Sequence, residues 1–342
     1  MSKEKNQDKK LYYQVKKSTD LSNLPEIKGY DFENQFDFND FLESFSTTGI
    51  QATNLGEAVH IIRAMIREDA KIYLSFTSNM ISSGVREIIK YLVKQKKVHI
   101  LSTAAGGVEE DVIKSRSPFR LGNFETSGKT LFDAGVGRIG NIFGTNEQYS
   151  YFEFFMRKAF DRLREEKEKE GITIVSPSQI IKMFGKILEE EKDYDHESSY
   201  IYWAYKNDIS VYCPGIVDGA IGDMLYFYKK THKGFTIDPT LDHEKIIDET
   251  MNSSKTGAIV LGGGISKHYI LNANIFKEGF DYAVYISTAT PYDGSDSGGN
   301  EEEAKTWAKI KIDAPHTKVY CDASIAFPLI VAGTFIKIKD KN

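Results

Sequence analysis

The nineteen residues Pro291–Lys309, PYDGSDSGGNEEEAKTWAK, set five carboxylates, two serines, an indole and two lysines side by side. A lysine amine held among apolar groups loses proton affinity, and a neutral amine attacks a carbonyl or iminium carbon and holds it as a Schiff base. Lys309, two residues after Trp307 and at the start of the apolar KIKID pattern, is by itself more simply a surface lysine, and otherwise a lysine placed for that chemistry. Glu303 and Trp307 stand four apart, on one face of a helix, where carboxylate and indole can cradle an alkylammonium by ion pairing and cation–π attraction. The competing account of DGSDSGGNEEE is a flexible turn before a helix whose first-turn acids complement its dipole. The spacing of an EF-hand loop is absent, so no metal is expected there. His268, directly after Lys267, is a second chemical group, as a base or as a structural histidine beside a turn.

These residues need a scaffold, and the chain repeats one grammar: short β-branched runs end in Ser, Thr or Gly and lead into amphipathic helices, as in a parallel α/β sheet. The expected strands are Lys71–Phe76, Val98–Thr103, Ile209–Cys213, Ala258–Leu261, Tyr282–Ser287 and Lys318–Cys321, apolar enough for burial on both faces. Expected helices include Gly84–Lys94, with Val85, Ile88, Ile89 and Leu92 on one stripe, and Phe152–Glu170, closed by Gly171. The charged run Glu189–Ser199 reads as a surface loop or helix end.

Ligands of open parallel sheets bind beyond the carboxyl ends of the strands, and here those ends carry FTSNMISSG, STAAGGVEED, CPGIVDGAIGD, LGGGISKH, ISTATPYDGSDSGG and YCDAS. Gly262-Gly263-Gly264 alone fits a tight strand-to-helix turn, since it has neither the G-x-G-x-x-G spacing nor a Walker ending. Together with Ala105-Gly106-Gly107 and Thr77-Ser78-Asn79 it forms a surface that a pyrophosphate or nicotinamide can approach closely. Without a P-loop lysine, a dinucleotide fits better than a nucleoside triphosphate.

Composition narrows the function classes. At 342 residues and 41% hydrophobic, the chain can bury a large core. Its 44 basic against 49 acidic residues, net charge -5, argue against a general grip on nucleic acid or anionic lipid and accommodate a cationic partner. No segment reaches the ~20 apolar residues of a membrane helix. Two cysteines, Cys213 and Cys321, without a CxxC pair, read as buried thiols of a reducing compartment, and a cytoplasmic location is expected.

The motifs TSNMISSG, AGGVEED, RIGNIF, DGAIGDM, GGGISKHYILNANIF, DYAVYIST, DGSDSG, EEAKTWAKI and FPLIVAGTF, taken together, resemble the deoxyhypusine synthase family from about Ile27 to Phe335. The resemblance implies an enzyme that uses NAD to oxidise spermidine, transfers its 4-aminobutyl group through an imine on an enzyme lysine to a lysine of translation factor 5A, and then reduces the product. By motif match Lys309 is the imine-forming lysine, His268 the proton shuttle, and Glu110 lies close to the reacting region. Asp223, Asn272, Asp296, Glu303 and Trp307 would line the spermidine site. NAD contacts would fall on Thr77, Ser78, Asn79, Ser82, Gly106, Glu109, Asp218, Gly263, Thr288, Asp293, Ser297, Asp322 and Ala323. Ala104 and Ala220 depart from the hydroxyl residues common in relatives.

The implied fold is α/β, a Rossmann-like parallel sheet with helices on both faces, in a single large domain spanning 27–342 behind an N-terminal arm of residues 1–26. The implied assembly is a homotetramer with sites at subunit interfaces. Alternatives are a homospermidine synthase that passes the same group to putrescine, a non-catalytic polyamine-binding protein, and, more distantly, a plain NAD-dependent dehydrogenase. Retention of Lys309 with His268 weighs against a binder, which needs neither nucleophile nor base.

Overall fold

Ile72, Leu74 and Phe76 point to one face of their strand, and Tyr73 and Ser75 to the other; all five are buried, so helices must cover both sides. The computed structural model, which describes residues 18–171 and 174–336, meets that requirement. Ile72, Leu74 and Phe76 join Ile259, Leu261, Val284 and Ile286 in one apolar core, covered by helices such as Ile50–Arg67, Val85–Lys94 and Ala323–Thr334. Tyr73, Ala258, Val260, Ala283 and Tyr285 join a second core under helices Thr240–Met251 and Gly264–Ile275. Each fully buried aliphatic side chain contributes about 1.5–3 kcal/mol relative to exposure, so the two layers fix the sheet between them. Of the arm, residues 1–17 lie outside the described residues, and residues 18–26 are exposed chain with one turn.

The described strands are β1 (Lys71–Phe76), β2 (Ile100–Thr103), β3 (Arg120–Leu121), β4 (Val136–Ile139), β5 (Ile142–Thr145), β6 (Ile174–Val175), β7 (Ser210–Tyr212), β8 (Thr236–Ile237), β9 (Thr256–Leu261), β10 (Tyr282–Ile286) and β11 (His316–Val319). Six form one parallel sheet in the order β11-β10-β9-β1-β2-β7. Counted along the chain from the β7 edge, this is the 3-2-1-4-5-6 order of a doubly wound dinucleotide-binding sheet, and the winding reverses between β1 and β9. Register aligns the strand ends: Phe76 pairs with Thr103 and Leu261, and Ile286 pairs with Leu261 and Val319. The loops that follow therefore open on one edge.

The expected strands are all present, with shifted ends. β9 starts two residues earlier than expected, at Thr256. β11 stops at Val319 because the nitrogen of Cys321 turns back to the Val319 carbonyl and that of Tyr320 bonds the Gln51 side chain at 2.6 Å. The helix expected from Phe152 begins at Asn146, where Thr145 and Gln148 form a capping box. The run Glu189–Ser199 does end a helix, yet Tyr194 and Ser199 are buried. Cys213 is buried, whereas Cys321 is partly exposed. Among the described residues no helix is long and apolar enough to cross a membrane.

Candidate active site

Helix Gly264–Ile275 leaves β9 directly, and its one-turn repeat stacks His268 above Asn272. Lys309 arrives from the other side: its backbone is fixed by bonds from its nitrogen to Ala304 O and from Phe280 N to its carbonyl, both 3.0 Å. Lys309 Nζ then lies 2.9 Å from His268 Nε2, and Asn272 Nδ2 lies 2.9 Å from His268 Nδ1. The amide can be set either way: with Nδ2 donating to Nδ1, a neutral imidazole keeps its proton on Nε2; with Oδ1 accepting from Nδ1–H, Nε2 is bare toward Lys309 Nζ and can accept. Burial, then the neighbouring Lys309, lowers the pKa of His268 below the usual 6.5, so the ring is held neutral and able to take a proton.

Helix Glu301–Thr306, capped by the Asn300 side chain, carries Glu303, and Trp307 closes it with an indole 65% exposed. Asp296 has one oxygen 3.9 Å from Lys267 Nζ and the other, Oδ2, buried without a partner. An unpartnered buried carboxylate oxygen is costly, and an ammonium ligand would satisfy it. The loop bearing Asp296 is pinned through its main chain by two buried lysines. Lys267 Nζ donates to the carbonyls of Asp296 and Gly299, and Lys318 Nζ to those of Ala289 and Gly298. Burial lowers the pKa of both amines.

The crevice between β1 and β9 is narrow because of its glycines. Gly262 has φ +87°, and a Cβ on it would come within 2.9 Å of Thr77; a Cβ on Gly263 would stand 2.3 Å from Ser297 Cα. Thr77, Ser78 and Asn79 follow β1, with the Thr77 hydroxyl bonded to the Asn79 side chain, and Gly106 packs beside Ser78. Asp293 accepts from Ser295 N at 2.9 Å, Thr288 is exposed between Ser287 and Ala289, and Asp322 caps the helix that begins with buried Ala323. The glycines let Thr77 and Ser297 close in at the winding reversal, the place where a doubly wound sheet takes a dinucleotide.

Helix Ala105–Arg116, after β2, presents Glu109 and Glu110, both buried. Glu109 accepts from Ile221 N at 2.8 Å, and Glu110 accepts from the Ser82 hydroxyl. Burial pushes each up to about 7; hydrogen bonds from Ile221 and Ser82 oppose the rise, and Asp223 and Asp218 add to that of Glu109. Ala104 sits at the N-cap of this helix with no side-chain acceptor, and Ala220 opens the helix after β7.

Most expected site residues follow the carboxyl ends of the strands, whereas the Lys309 backbone is bonded at Phe280, just before β10, and only its side chain reaches His268. Two groups stand out among them. Lys309, His268 and Asn272 stand together near Asp296, Glu303 and Trp307. Glu109, Glu110, Asp218 and Asp223 stand together by the β2 and β7 loops. Among the described residues no hydrogen bond or ion pair joins the second group to Lys309, His268 or Asn272 within one chain. Sequence reading missed Tyr149, whose phenol is pushed up to about 12 by burial and then by Glu110 and Glu109. It also missed Lys267 and Lys318, whose partners are backbone carbonyls that no motif encodes.

The deoxyhypusine synthase family model matches residues 40–334. Deoxyhypusine synthases of Musa acuminata and Senecio vernalis are each 43% identical, covering 95% and 92% of this chain and 92% and 90% of their own. A crystal structure of a candidate deoxyhypusine synthase from Entamoeba histolytica aligns with TM-score 0.64 and 30% identity over 90% of this chain and 96% of that one. AgrE, solved with ornithine and NAD+, shares the fold alone, at TM-score 0.51 and 11% identity over 83% of this chain and 33% of that one. A sheet of this order, a lysine against a histidine on the helix that follows β9, and a match across most of the chain agree: the chain belongs to the deoxyhypusine synthase family.

Proposed function

We propose that the enzyme transfers the 4-aminobutyl group of spermidine, through an imine on Lys309, to a lysine of translation factor 5A, with NAD as cofactor. The observation that carries this is the 2.9 Å approach of Lys309 Nζ to His268 Nε2 in a chain of this family. Asp296, with its orphaned Oδ2, and Glu303 bind the ammonium groups, and Trp307 covers the chain between them. With Asn272 Oδ1 accepting from Nδ1–H, the bare His268 Nε2 takes the proton that the Lys309 amine sheds on attacking the oxidised spermidine and passes it to the departing propane-1,3-diamine; the same shuttle serves when the acceptor lysine displaces Lys309. Glu109 and Glu110 hold protons near neutrality at the crevice wall.

Thr77, Ser78, Asn79, Ser82, Gly106, Asp218, Gly263, Thr288, Asp293, Ser297, Asp322 and Ala323 would hold NAD, and their small and polar side chains at the winding reversal fit it. NAD when bound supplies the hydride acceptor for amine oxidation and the donor for the final reduction. Glu109 and Glu110 make no hydrogen bond or ion pair with Lys309 or His268 among the described residues, which fits a homotetramer with shared interfacial sites, and exposed Val217, Ile265 and Trp307 give a partner subunit apolar surface to cover. A cytoplasmic setting follows from the protein acceptor.

The test incubates the enzyme with labelled spermidine, NAD and factor 5A, and follows label into protein. Borohydride added without acceptor should fix an aminobutyl group on Lys309. Label that enters no protein, with no adduct on Lys309, would overturn the proposal.

A further inference from the structure

The helix Asn79–Ser82 is a single turn, and its last carbonyls have no partners within it. Lys114 supplies them from a neighbouring element. Its Nζ donates to Ile81 O at 2.8 Å, Ser82 O at 3.0 Å and Ser83 O at 3.0 Å, which uses all three hydrogens of the ammonium. No carboxylate among the described residues lies within ion-pair distance of this partly buried cation, and burial lowers its pKa. Its hydrogen bonds therefore go to main-chain oxygens alone, and Glu87, Asp111 and Glu110 act on it only through space.

Lys114 is one helical turn beyond Glu110 in Ala105–Arg116, so both reach from the same face. Glu110 takes the Ser82 hydroxyl while Lys114 takes the carbonyls around it. The turn is thus held at a side chain and at three backbone oxygens by one helix, and that turn bears Thr77, Ser78, Asn79 and Ser82.

We infer that Lys114 is a positioning residue for the cofactor wall, locking the turn 77–83 to the helix that carries Gly106, Glu109 and Glu110. This rests on the dinucleotide reading of the crevice. Lys114 touches neither the reacting atoms nor, on this geometry, the cofactor; it acts through the backbone it grips.

The experiment compares wild type, Lys114→Met and Lys114→Arg by equilibrium titration with NAD and by amide hydrogen exchange. Met80, Ile81, Ser82 and Ser83 donate their amides within this turn, so their exchange reports its rigidity. Lys114→Met should raise the NAD dissociation constant about tenfold and speed exchange at these four amides, while kcat at saturating NAD falls far less. Lys114→Arg should restore most of both. If Lys114→Met does not fold, Lys114→Gln carries the same comparison, because its amide still offers two donors. Unchanged exchange at residues 80–83, or unchanged NAD affinity, would overturn the assignment. Wild-type protein that fails to bind NAD would sink the dinucleotide reading together with it, whereas wild-type binding matched by the Met variant sinks the Lys114 role alone.

Discussion

The carboxylate of Glu109 accepts a hydrogen bond from the backbone nitrogen of Ile221 at 2.8 Å, so an acid on the helix after β2 ties down the first turn of the helix after β7. Burial raises this acid from 4.5 to about 7, and its folded form keeps a proton that the unfolded chain has lost. The stability so gained is fully present below about 4.5 and is lost as pH rises through about 7. Glu109→Gln, neutral throughout and still an acceptor, should flatten the fall of melting temperature across that window. A Gln variant whose melting temperature tracks wild type there would refute the assignment.

Replacing Lys309 by Arg keeps the charge and removes the nucleophile. Transfer should vanish, and so should the borohydride adduct. An adduct found by mass spectrometry on Lys267 or Lys305 in the wild type would move the nucleophile elsewhere.

His268→Gln should lower the chemical rate by about 10²–10⁴-fold, the usual range for a lost acid-base group. Since Lys309 depresses the His268 pKa, Lys309→Met should let the ring protonate at higher pH than in the wild type. Imidazole proton shifts followed against pH would reveal an unmoved titration if the two groups do not interact.

Asp296→Asn and Glu303→Gln should each weaken spermidine binding by about 1.5–3 kcal/mol, the scale of a charged hydrogen bond. NAD affinity should change much less for Glu303→Gln. Calorimetry that returns wild-type spermidine affinity for both variants would remove the carboxylates from the amine site.

The acceptor is decided by competition at equal concentrations of factor 5A and putrescine with labelled spermidine. Protein-bound label should dominate and should fall as salt screens the attraction between a chain of net charge -5 and a basic loop around the target lysine. Label recovered mainly as homospermidine would assign the enzyme to the small-amine reaction.

The strands of the main sheet were legible because both-face burial forces continuous apolar runs, and Tyr73 against Leu74 shows why alternation is absent there. Their order was not, since nothing in a strand's own residues says that β9 lies beside β1. Local spacing raised Glu303 and Trp307 as a candidate amine cradle but left Lys309 reading as a surface lysine, and only the resemblance to the family singled it out. His268 became a partner of Lys309 only through the fold, which brings together positions 41 apart in the chain. The helix start at Asn146 was readable in Thr145-x-x-Gln148 and was passed over for the stronger apolar stripe from Phe152. Tyr149, Lys114, Lys267 and Lys318 act through burial and main-chain contacts, which leave no pattern in composition.

Lys267 and Lys318 grip the acidic loop by carbonyls, which every amino acid supplies alike. The path of that loop is therefore insulated from the identity of the side chains it displays. On the proposed amine site, substitution of Asp296 changes which amine is recognised while the chain beneath keeps its course. Selectivity and architecture are separable here, and a library at Asp296 would explore substrate range without rebuilding the site.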